Sequence, residues 1–497
     1  MVRQLTTRAQ VNGYRFLVRR LEHALVRRDV RMLHDPMRTH LQALVVSAVI
    51  GLLVLGGFGV WGLIRPQGSV GDAKILVSKG GGGTYVVLDD TVHPVLNLAS
   101  ARLITGGANS PRSVSDGTLA GYPRGPVLGI PGAPGSLAGS AHPGESAWTV
   151  CDTAVDAPTA AGSGVELTVI AQRPHVIQGI DVAGADDAVL VVQDDVTFLV
   201  YTVARDGVPV SVRARVDTAS VPVMRALGLE GAVARPISAG VLNSFPEVEP
   251  LTVPVIDGRG APASAALDGV PVGSVVKTVG VDDRITYYVV LSGGVQRVGS
   301  AGAEILRLGD PDGAAAAPIL SPGQIAAVPV VDTLPIGEFP VRTPRLVDAE
   351  NAGTICRSWR RGTDDAPATT GFLLGRRLPL PSDAIPVRVS TADGSGPGVD
   401  RVYLRPGSGE YLQATGSEPD STRAESRFYV SDVGVRFGVA DAGAGQMLGL
   451  GDRPKRAPWS VIGLLAPGPV LSRTAALVSH DGIAPDRDAR SIPAPGS

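Results

Sequence analysis

Two cysteines, Cys151 and Cys356, are the residues of this 497-residue chain best suited to covalent chemistry. In an oxidising compartment they would pair as a disulfide, whereas in a reducing one they would remain two buried thiols. Both lie after the long apolar segment near the start of the chain, and none precedes it. This position favours the disulfide, provided that the region after the apolar segment lies outside the cell membrane.

No other residues have the spacing of a catalytic or metal site. A phosphate-binding loop needs Gly-x4-Gly-Lys-Ser/Thr, and neither SKGGGGTYVV nor GSVVKTVG has that spacing. The seven histidines show no zinc-type spacing, and no Gly-x-Ser-x-Gly elbow occurs. Pairs of acids at predicted turns are interpreted as solvated corners rather than as a glycosidase pair: Asp186-Asp187, Asp194-Asp195 and Asp282-Asp283. We therefore predict no catalytic residue, no metal ligand and no cofactor.

Four serines recur at related positions: Ser115, Ser238, Ser321 and Ser460. Each of the first three is followed by a proline eight residues later and by a leucine thirteen residues later, and the fourth repeats this loosely. A catalytic role is the alternative, but the shared spacing predicts that each serine caps a short helix that ends before the proline.

The serines belong to a larger repeated pattern. An aromatic-led apolar run, a turn and a second apolar run occur four times, and each set predicts a β-hairpin. A short helical pattern and then the serine follow each hairpin. The four runs are TYVVLDDTVHPV, TFLVYTVARDGVPVSV, TYYVVLSGGVQRV and RFYVSDVGVRFGV. We predict four repeat units over residues 74–128, 190–251, 270–334 and 400–471.

Two spacers separate the first unit from the second and the third from the fourth. Residues 129–189 contain Cys151, and residues 335–399 contain Cys356. Both spacers carry strand patterns, so we predict that they pair as one central β domain stapled by the two cysteines. The final residues, 480–497, have the composition of a disordered tail.

The cysteines, the serines and the predicted repeat units all follow an uncharged segment, residues 41–64. It would reach about 36 Å as a helix, which is enough to cross a ~30 Å hydrocarbon core. A cleaved signal peptide is the alternative, but about 40 residues precede the segment and no small-residue cleavage site follows it. We predict a single-pass transmembrane helix.

Residues 1–40 form a basic arm with nine arginines and three acids. The arginines nearest the apolar segment, which place the N-terminus in the cytoplasm, are Arg27, Arg28, Arg31 and Arg38. A capping box at Thr7 and apolar residues at helical spacing predict an amphipathic helix. It would either lie on anionic lipid or dock a partner, and the sequence does not separate the two.

The outer region carries 36 basic and 44 acidic residues, a net charge of −8. This acidic balance excludes nucleic acid as a partner. The predicted fold class is therefore a single-pass membrane protein with a mixed α+β, β-rich elongated extracytoplasmic region, in which four repeats surround a central disulfide-stapled β domain.

Several stretches, in this order, resemble the EccB family of the mycobacterial and actinobacterial type VII (ESX) secretion system. They are TRAQVNGYRFLVRRLEHAL, RMLHDPMRT, IRPQG, VLNLASARLITG, YPRGPVLGIPGAPGSL, WTVCDT, RFYVSDVGVRFGV and APWSVIGLLAPGPVLSRTAALVSHD. The resemblance covers nearly the whole chain. It implies one membrane span, a periplasmic part with four repeats about a central domain, and one disulfide, here at Cys151 and Cys356.

The resemblance also implies partners and a location. These are EccC (the FtsK/SpoIIIE-like motor), EccD, EccE and the mycosin protease, together with self-association of the periplasmic part, in a large inner-membrane complex. Three functions follow as hypotheses: a structural subunit, an ATPase with ATP as its cofactor, and a peptidoglycan-binding module. Members of the family are often labelled ATPases, but the missing phosphate-binding loop argues against that label here.

Overall fold

The computed structural model describes residues 7–28, 36–64, 70–154, 164–281, 283–311, 316–364, 366–394, 396 and 398–483. It opens with helix α1 (Arg8–Arg27), where Gln10 Oε1 accepts a hydrogen bond from Thr7 N at 3.0 Å. Helix α2 (Pro36–Ile64) contains one stretch, residues 39–61, that is long and apolar enough to cross a membrane. It begins five residues before the predicted segment, because a proline in the first turn of a helix loses no hydrogen bond.

The outer region is built from short strands and helices. In chain order, the elements up to residue 242 are β1 (Ile75–Ser78), β2 (Thr84–Leu88), β3 (Thr91–Val95), α3 (Leu98–Thr105), β4 (Arg112–Val114), α4 (Asp116–Ala120), β5 (Val127–Leu128), β6 (Glu145–Ala154), β7 (Val165–Ile170), β8 (Ile180–Val182), β9 (Asp187–Gln193), β10 (Val196–Arg205), β11 (Val208–Arg215), α5 (Val221–Ala226), β12 (Arg235–Pro236) and α6 (Ala239–Leu242).

A 3-10 turn (Ala265–Leu267) precedes the second half of the outer region. Its elements are β13 (Val275–Val279), β14 (Ile285–Leu291), β15 (Gly294–Val298), α7 (Ser300–Leu308), α8 (Pro322–Ala326), β16 (Arg345–Leu346), β17 (Thr354–Gly362), β18 (Thr369–Gly375), β19 (Val387–Arg388), β20 (Arg401–Tyr403), β21 (Gly409–Thr415), β22 (Arg427–Ser431), β23 (Val435–Val439), α9 (Ala442–Leu448), β24 (Lys455–Pro458), α10 (Trp459–Ile462), β25 (Ala466–Pro467), α11 (Arg473–Ala476) and β26 (Ser479–His480).

The four segments predicted as units share one order of strand pairings. Each contains three consecutive antiparallel strands: β1–β3, β9–β11, β13–β15 and β21–β23. The chain after the first helix returns parallel to the first strand of the three, as β4, β12, Ile319 and β24 do. The chain after the second helix pairs parallel to the third strand, as β5, Glu247, Val330 and β25 do. Each predicted hairpin is the second and third strand of its set.

Three of the four serines stand at helix starts. The side chains of Ser115, Ser238 and Ser321 accept hydrogen bonds from the backbone N–H three residues ahead. The prediction for Ser460 is wrong: helix α10 begins one residue earlier with Pro458 as its cap, and Ser460 Oγ hydrogen-bonds the hydroxyl of Ser417. Here β24 runs directly into the helix, so no residue is left between them to act as a serine cap.

The two spacers form one central sheet, in the order β19-β20-β7-β6-β17-β18-β8. Strands β6 and β17 pair antiparallel with Cys151 directly opposite Cys356, and the two form a disulfide. Strand β20 belongs to this sheet, so the boundary predicted at residue 400 is too early. His480 pairs in β26 with β5, and the disordered tail predicted from residue 480 is therefore wrong at its start; residues 484–497 lie outside the described residues.

The units share hydrophobic cores in two pairs. The second and third units form one core in which α5 packs on α7, and the first and fourth form another in which α3 packs on α9. One face of the central sheet packs against the second and fourth units around Trp148, Phe245 and Phe428. The opposite face buries the disulfide with Ile170 and Leu373. The central sheet therefore joins the two pairs of units.

A buried carboxylate ties the second unit to the central sheet. Asp152 on β6 is fully buried and accepts hydrogen bonds from Ser238 N (2.6 Å) and Ser238 Oγ (2.8 Å). The fully buried Arg235 lies near it and donates to Ala352 O at 2.8 Å. Burial raises the pKa of Asp152 to about 6, although the Ser238 hydrogen bonds and Arg235 favour the charged form.

We predict that replacing both cysteines by alanine lowers the free energy of unfolding by up to about 5 kcal/mol, because the disulfide closes a loop of about 205 residues in the unfolded chain. The measurement is the urea midpoint of the purified full-length chain, with and without a reductant. Reductant should shift the wild type towards the variant and leave the variant unchanged. Equal midpoints, or free alkylated thiols in a non-reducing peptide map, would contradict this.

The pKa of Asp152 predicts a pH dependence. Between about pH 4 and pH 6 the folded chain keeps a proton on this carboxyl that the unfolded chain releases, so its contribution to stability falls as pH rises through this window. The rise from 3.8 to about 6 corresponds to about 3 kcal/mol. Relative to Asp152→Asn, the wild type should therefore lose up to this amount between pH 4 and pH 7. Asp195→Asn, at an exposed turn, is the control for an aspartate-to-asparagine substitution elsewhere in the second unit.

Candidate assembly surfaces

Helix α1 presents an exposed apolar stripe. Tyr14, Leu17, Leu21 and Leu25 are each more than half exposed and recur at intervals of three or four residues, which places them on one face. An uncovered apolar stripe on a basic helix requires either a lipid surface or a protein partner. The exposed stripe agrees with the amphipathic helix predicted from the sequence. It does not distinguish a lipid surface from a protein partner.

The arginines predicted to set orientation lie around the junction of the two helices. Arg27 ends α1, Arg28 adopts a left-handed conformation just after it, and Arg38 lies in the first turn of α2. Arg31 lies outside the described residues. Large apolar side chains of α2, including Leu52, Leu55 and Phe58, are exposed, as lipid-facing side chains are.

The glycine run Gly80–Gly83 does not form a phosphate cradle. It closes the turn between β1 and β2, where Ser78 Oγ accepts a hydrogen bond from Gly81 N at 2.9 Å. The same hydroxyl donates to the carboxylate of Asp116 at the start of α4. The backbone N–H of Gly81 is therefore already bonded within the protein, and a carboxylate stands at the position where a nucleotide loop would need a cation.

The adjacent aspartates singled out in the sequence either lie at turns or form ion pairs. Asp194 and Asp195 have positive φ between β9 and β10, as hairpin turns of this length require. Asp187 is buried, accepts from Gly184 N and pairs with Arg345, while Asp186 pairs with Arg342. Asp282 lies outside the described residues, and Asp283 has positive φ. Over the part of the chain that the structure describes, no group of three or more His, Cys, Asp or Glu side chains could hold a metal ion.

The charged groups buried in the central sheet were not predicted from the sequence. Asp152 and Arg357 each directly follow a cysteine, so strand alternation turns them to the sheet face opposite the disulfide. That face packs against the second and fourth units. A charged residue beside each cysteine within a strand pattern was the signal that could have revealed them.

The family model "Type VII secretion system ESX-1, transport TM domain B" matches residues 3–485 of this chain. Among curated proteins, the chain is 37% identical to the Mycobacterium tuberculosis protein named ESX-3 secretion system ATPase EccB3, over 99% of this chain and 93% of that protein. It is 35% identical to the ESX-1 secretion system ATPase EccB1 of the same organism, over 99% of both.

Solved structures give the same result. A chain of the intact ESX-5 inner membrane complex matches with a TM-score of 0.74 and 32% identity, covering 99% of each chain. The EccB3 dimer from the ESX-3 core complex matches with a TM-score of 0.70 and 35% identity, covering 82% of this chain and 100% of that one. These matches agree with the membrane helix, the β-rich outer region and the disulfide described above. The chain belongs to the EccB family of type VII (ESX) secretion systems.

Proposed function

We propose that this chain is a structural membrane subunit that anchors and assembles the inner-membrane channel of a type VII secretion complex and its periplasmic part. The observation that carries this is the likeness to a chain of the intact ESX-5 inner membrane complex over 99% of both chains, helices and outer region together. The outer region is suited to such a role, because buried cores and a disulfide join its parts into one body.

The N-terminal arm lies in the cytoplasm and the outer region in the periplasm. The nine arginines of residues 1–40 support this orientation, since basic residues next to a membrane helix stay on the cytoplasmic side. The Cys151–Cys356 disulfide supports it independently, because disulfides persist in oxidising compartments.

The partners that fit this role are EccC, EccD, EccE, the mycosin protease and further copies of this chain. The apolar stripe of α1 offers a cytoplasmic docking surface, and α2 offers a membrane surface. An EccB3 protein of the ESX-3 core complex has been solved as a dimer, which supports self-association of the outer region here.

We infer that the chain works by binding and uses no cofactor, ATP included. The ATPase label belongs to the names of relatives. In this chain the glycine run Gly80–Gly83 is a hairpin turn bonded to Ser78 and adjacent to Asp116.

Deleting residues 1–64 should abolish co-purification with the membrane partners, because it removes both the anchor and α1. A finer variant keeps the anchor and replaces Tyr14, Leu17 and Leu21 by serine. If α1 docks a protein, this variant should stay in the membrane and lose the complex at least about tenfold, measured by pull-down from detergent extract.

The matched control replaces Arg15, Arg19 and Arg20 by glutamine, which keeps the apolar stripe. If α1 instead lies on anionic lipid, this control and the serine variant should both retain the complex. Intact co-purification after deletion of residues 1–64 would refute the assembly role.

The purified full-length chain in detergent should hydrolyse ATP no faster than a buffer blank. Lys79→Ala, in the glycine-rich hairpin turn, is the matched variant for any residual activity. Turnover above the blank that disappears in this variant would establish the ATPase alternative instead.

A further inference from the structure

An open cavity of about 920 Å³ lies where three parts of the outer region meet. Its walls come from β11 of the second unit, from β18 of the central sheet and from residues 417–420 of the fourth unit. The last segment is held in place because Pro419 O accepts a hydrogen bond from Ala368 N at 2.7 Å. The cavity is therefore a fixed feature of the packed body rather than a gap beside a loose loop.

A buried arginine without a carboxylate partner lines this cavity. Arg357 is only 5% exposed, its guanidinium donates to Ser211 O at 2.9 Å, and its Cζ lies 5.1 Å from the centre of the Phe245 ring. Among the described residues, no carboxylate oxygen lies within 4 Å of its guanidinium nitrogens. Burial lowers its pKa to about 10, so the group is still charged at neutral pH.

An unpaired buried cation is unusual, because removing a charge from water is costly unless an opposite charge meets it. Two further arginines are buried: Arg235 has Asp152 nearby, and Arg361 of β17 donates to Ser421 O at 2.8 Å. Arg357 has hydrogen-bonding capacity left beyond Ser211 O, since a guanidinium carries five N–H donors in a fork that fits a carboxylate. The cavity thus offers a cationic guanidinium with N–H donors for an anionic group.

The remaining lining limits which anion fits. The walls are apolar at Val208 and Pro367, while Asp206, Glu418 and Asp420 are exposed at the rim. The two further arginines of the lining already have acidic partners: Arg205 pairs with Glu338, and Arg213 pairs with Glu247. A purely anionic ligand would be repelled by the acidic rim, whereas a ligand that also carries a positive charge would be attracted by it.

We propose that this cavity binds the carboxylate end of a short peptide that also carries a cationic side chain, with Arg357 holding the carboxylate and the acidic rim facing the cation. The site does not depend on the assembly role, because it lies wholly within the outer region. Such a peptide end occurs at protein C-termini and in the stem peptides of peptidoglycan, and the two sources differ in the chirality of the last residue.

The test is titration calorimetry on the full-length chain in detergent with four probes: L-Ala-L-Lys-L-Ala, the same peptide ending in D-Ala, and the C-terminal amide of each. The free acids should bind, and amidation should weaken binding at least about tenfold, because the charge-assisted bond to the guanidinium is lost. Tighter binding of the L or the D form would identify the source.

Arg357→Gln should bind the free acid at least about tenfold more weakly while keeping the urea midpoint of the wild type or exceeding it, since it removes an unpaired buried charge. Arg225→Gln, on α5 of the second unit and outside the cavity, is the control and should bind normally. Glu418→Gln with Asp420→Asn should weaken the lysine peptide a few-fold.

Three results would overturn the proposal. They are equal binding of acid and amide, unchanged binding by Arg357→Gln, or no heat from any probe up to about 10 mM. A large fall in the urea midpoint of Arg357→Gln, together with unchanged binding, would assign the arginine a structural role.

Discussion

The pairing of β6 with β17 is the constraint on which the outer region depends. These strands come from two spacers about 205 residues apart, so bringing them together closes a long loop at a high entropic cost. The disulfide stabilises that closure by restricting the unfolded chain. The rest of the central sheet extends from these two strands on either side, and one of its faces packs against the second and fourth units.

The four units share hydrophobic cores in two pairs, and only one of these pairs consists of neighbours in the chain. The second and third are neighbours in the chain, but the first and fourth share a core although they lie more than 270 residues apart. Arg102 in α3 donates to Leu448 O in α9 at 2.6 Å. The spacer that follows the first unit also contacts the fourth, where the Tyr429 hydroxyl accepts from Ala138 N at 3.0 Å. A segment of about 60 residues buries too little surface to be stable alone, and these pairings supply the missing core.

The buried charged residues of the central sheet differ in whether they have partners. Asp152 accepts two hydrogen bonds from Ser238 and has Arg235 nearby, so a buried carboxylate with partners joins the second unit to the sheet. Arg357, on strand β17 of the same sheet, has a backbone carbonyl and an aromatic ring as its neighbours and no carboxylate partner among the described residues. The hydrogen-bonded carboxylate stabilises an interface, whereas the buried cation without an acid is the feature on which the proposed ligand site rests.

The residues alone were enough to predict the membrane helix, the hairpins, the short helices that follow them and the caps at Ser115, Ser238 and Ser321. All of these depend on periodicity and turn chemistry within a few residues. The pairing of the two spacers was also predictable, because each holds one cysteine among strand patterns. Three features became known only from the folded chain: which units share a core, where β20 and His480 belong, and that Ser460 is not a cap. These depend on contacts between residues far apart in the chain, which no local pattern records. Arg357 was not predictable for the same reason. Its neighbours in space come from the second and fourth units, so its lack of an acidic partner can be seen only in the folded chain.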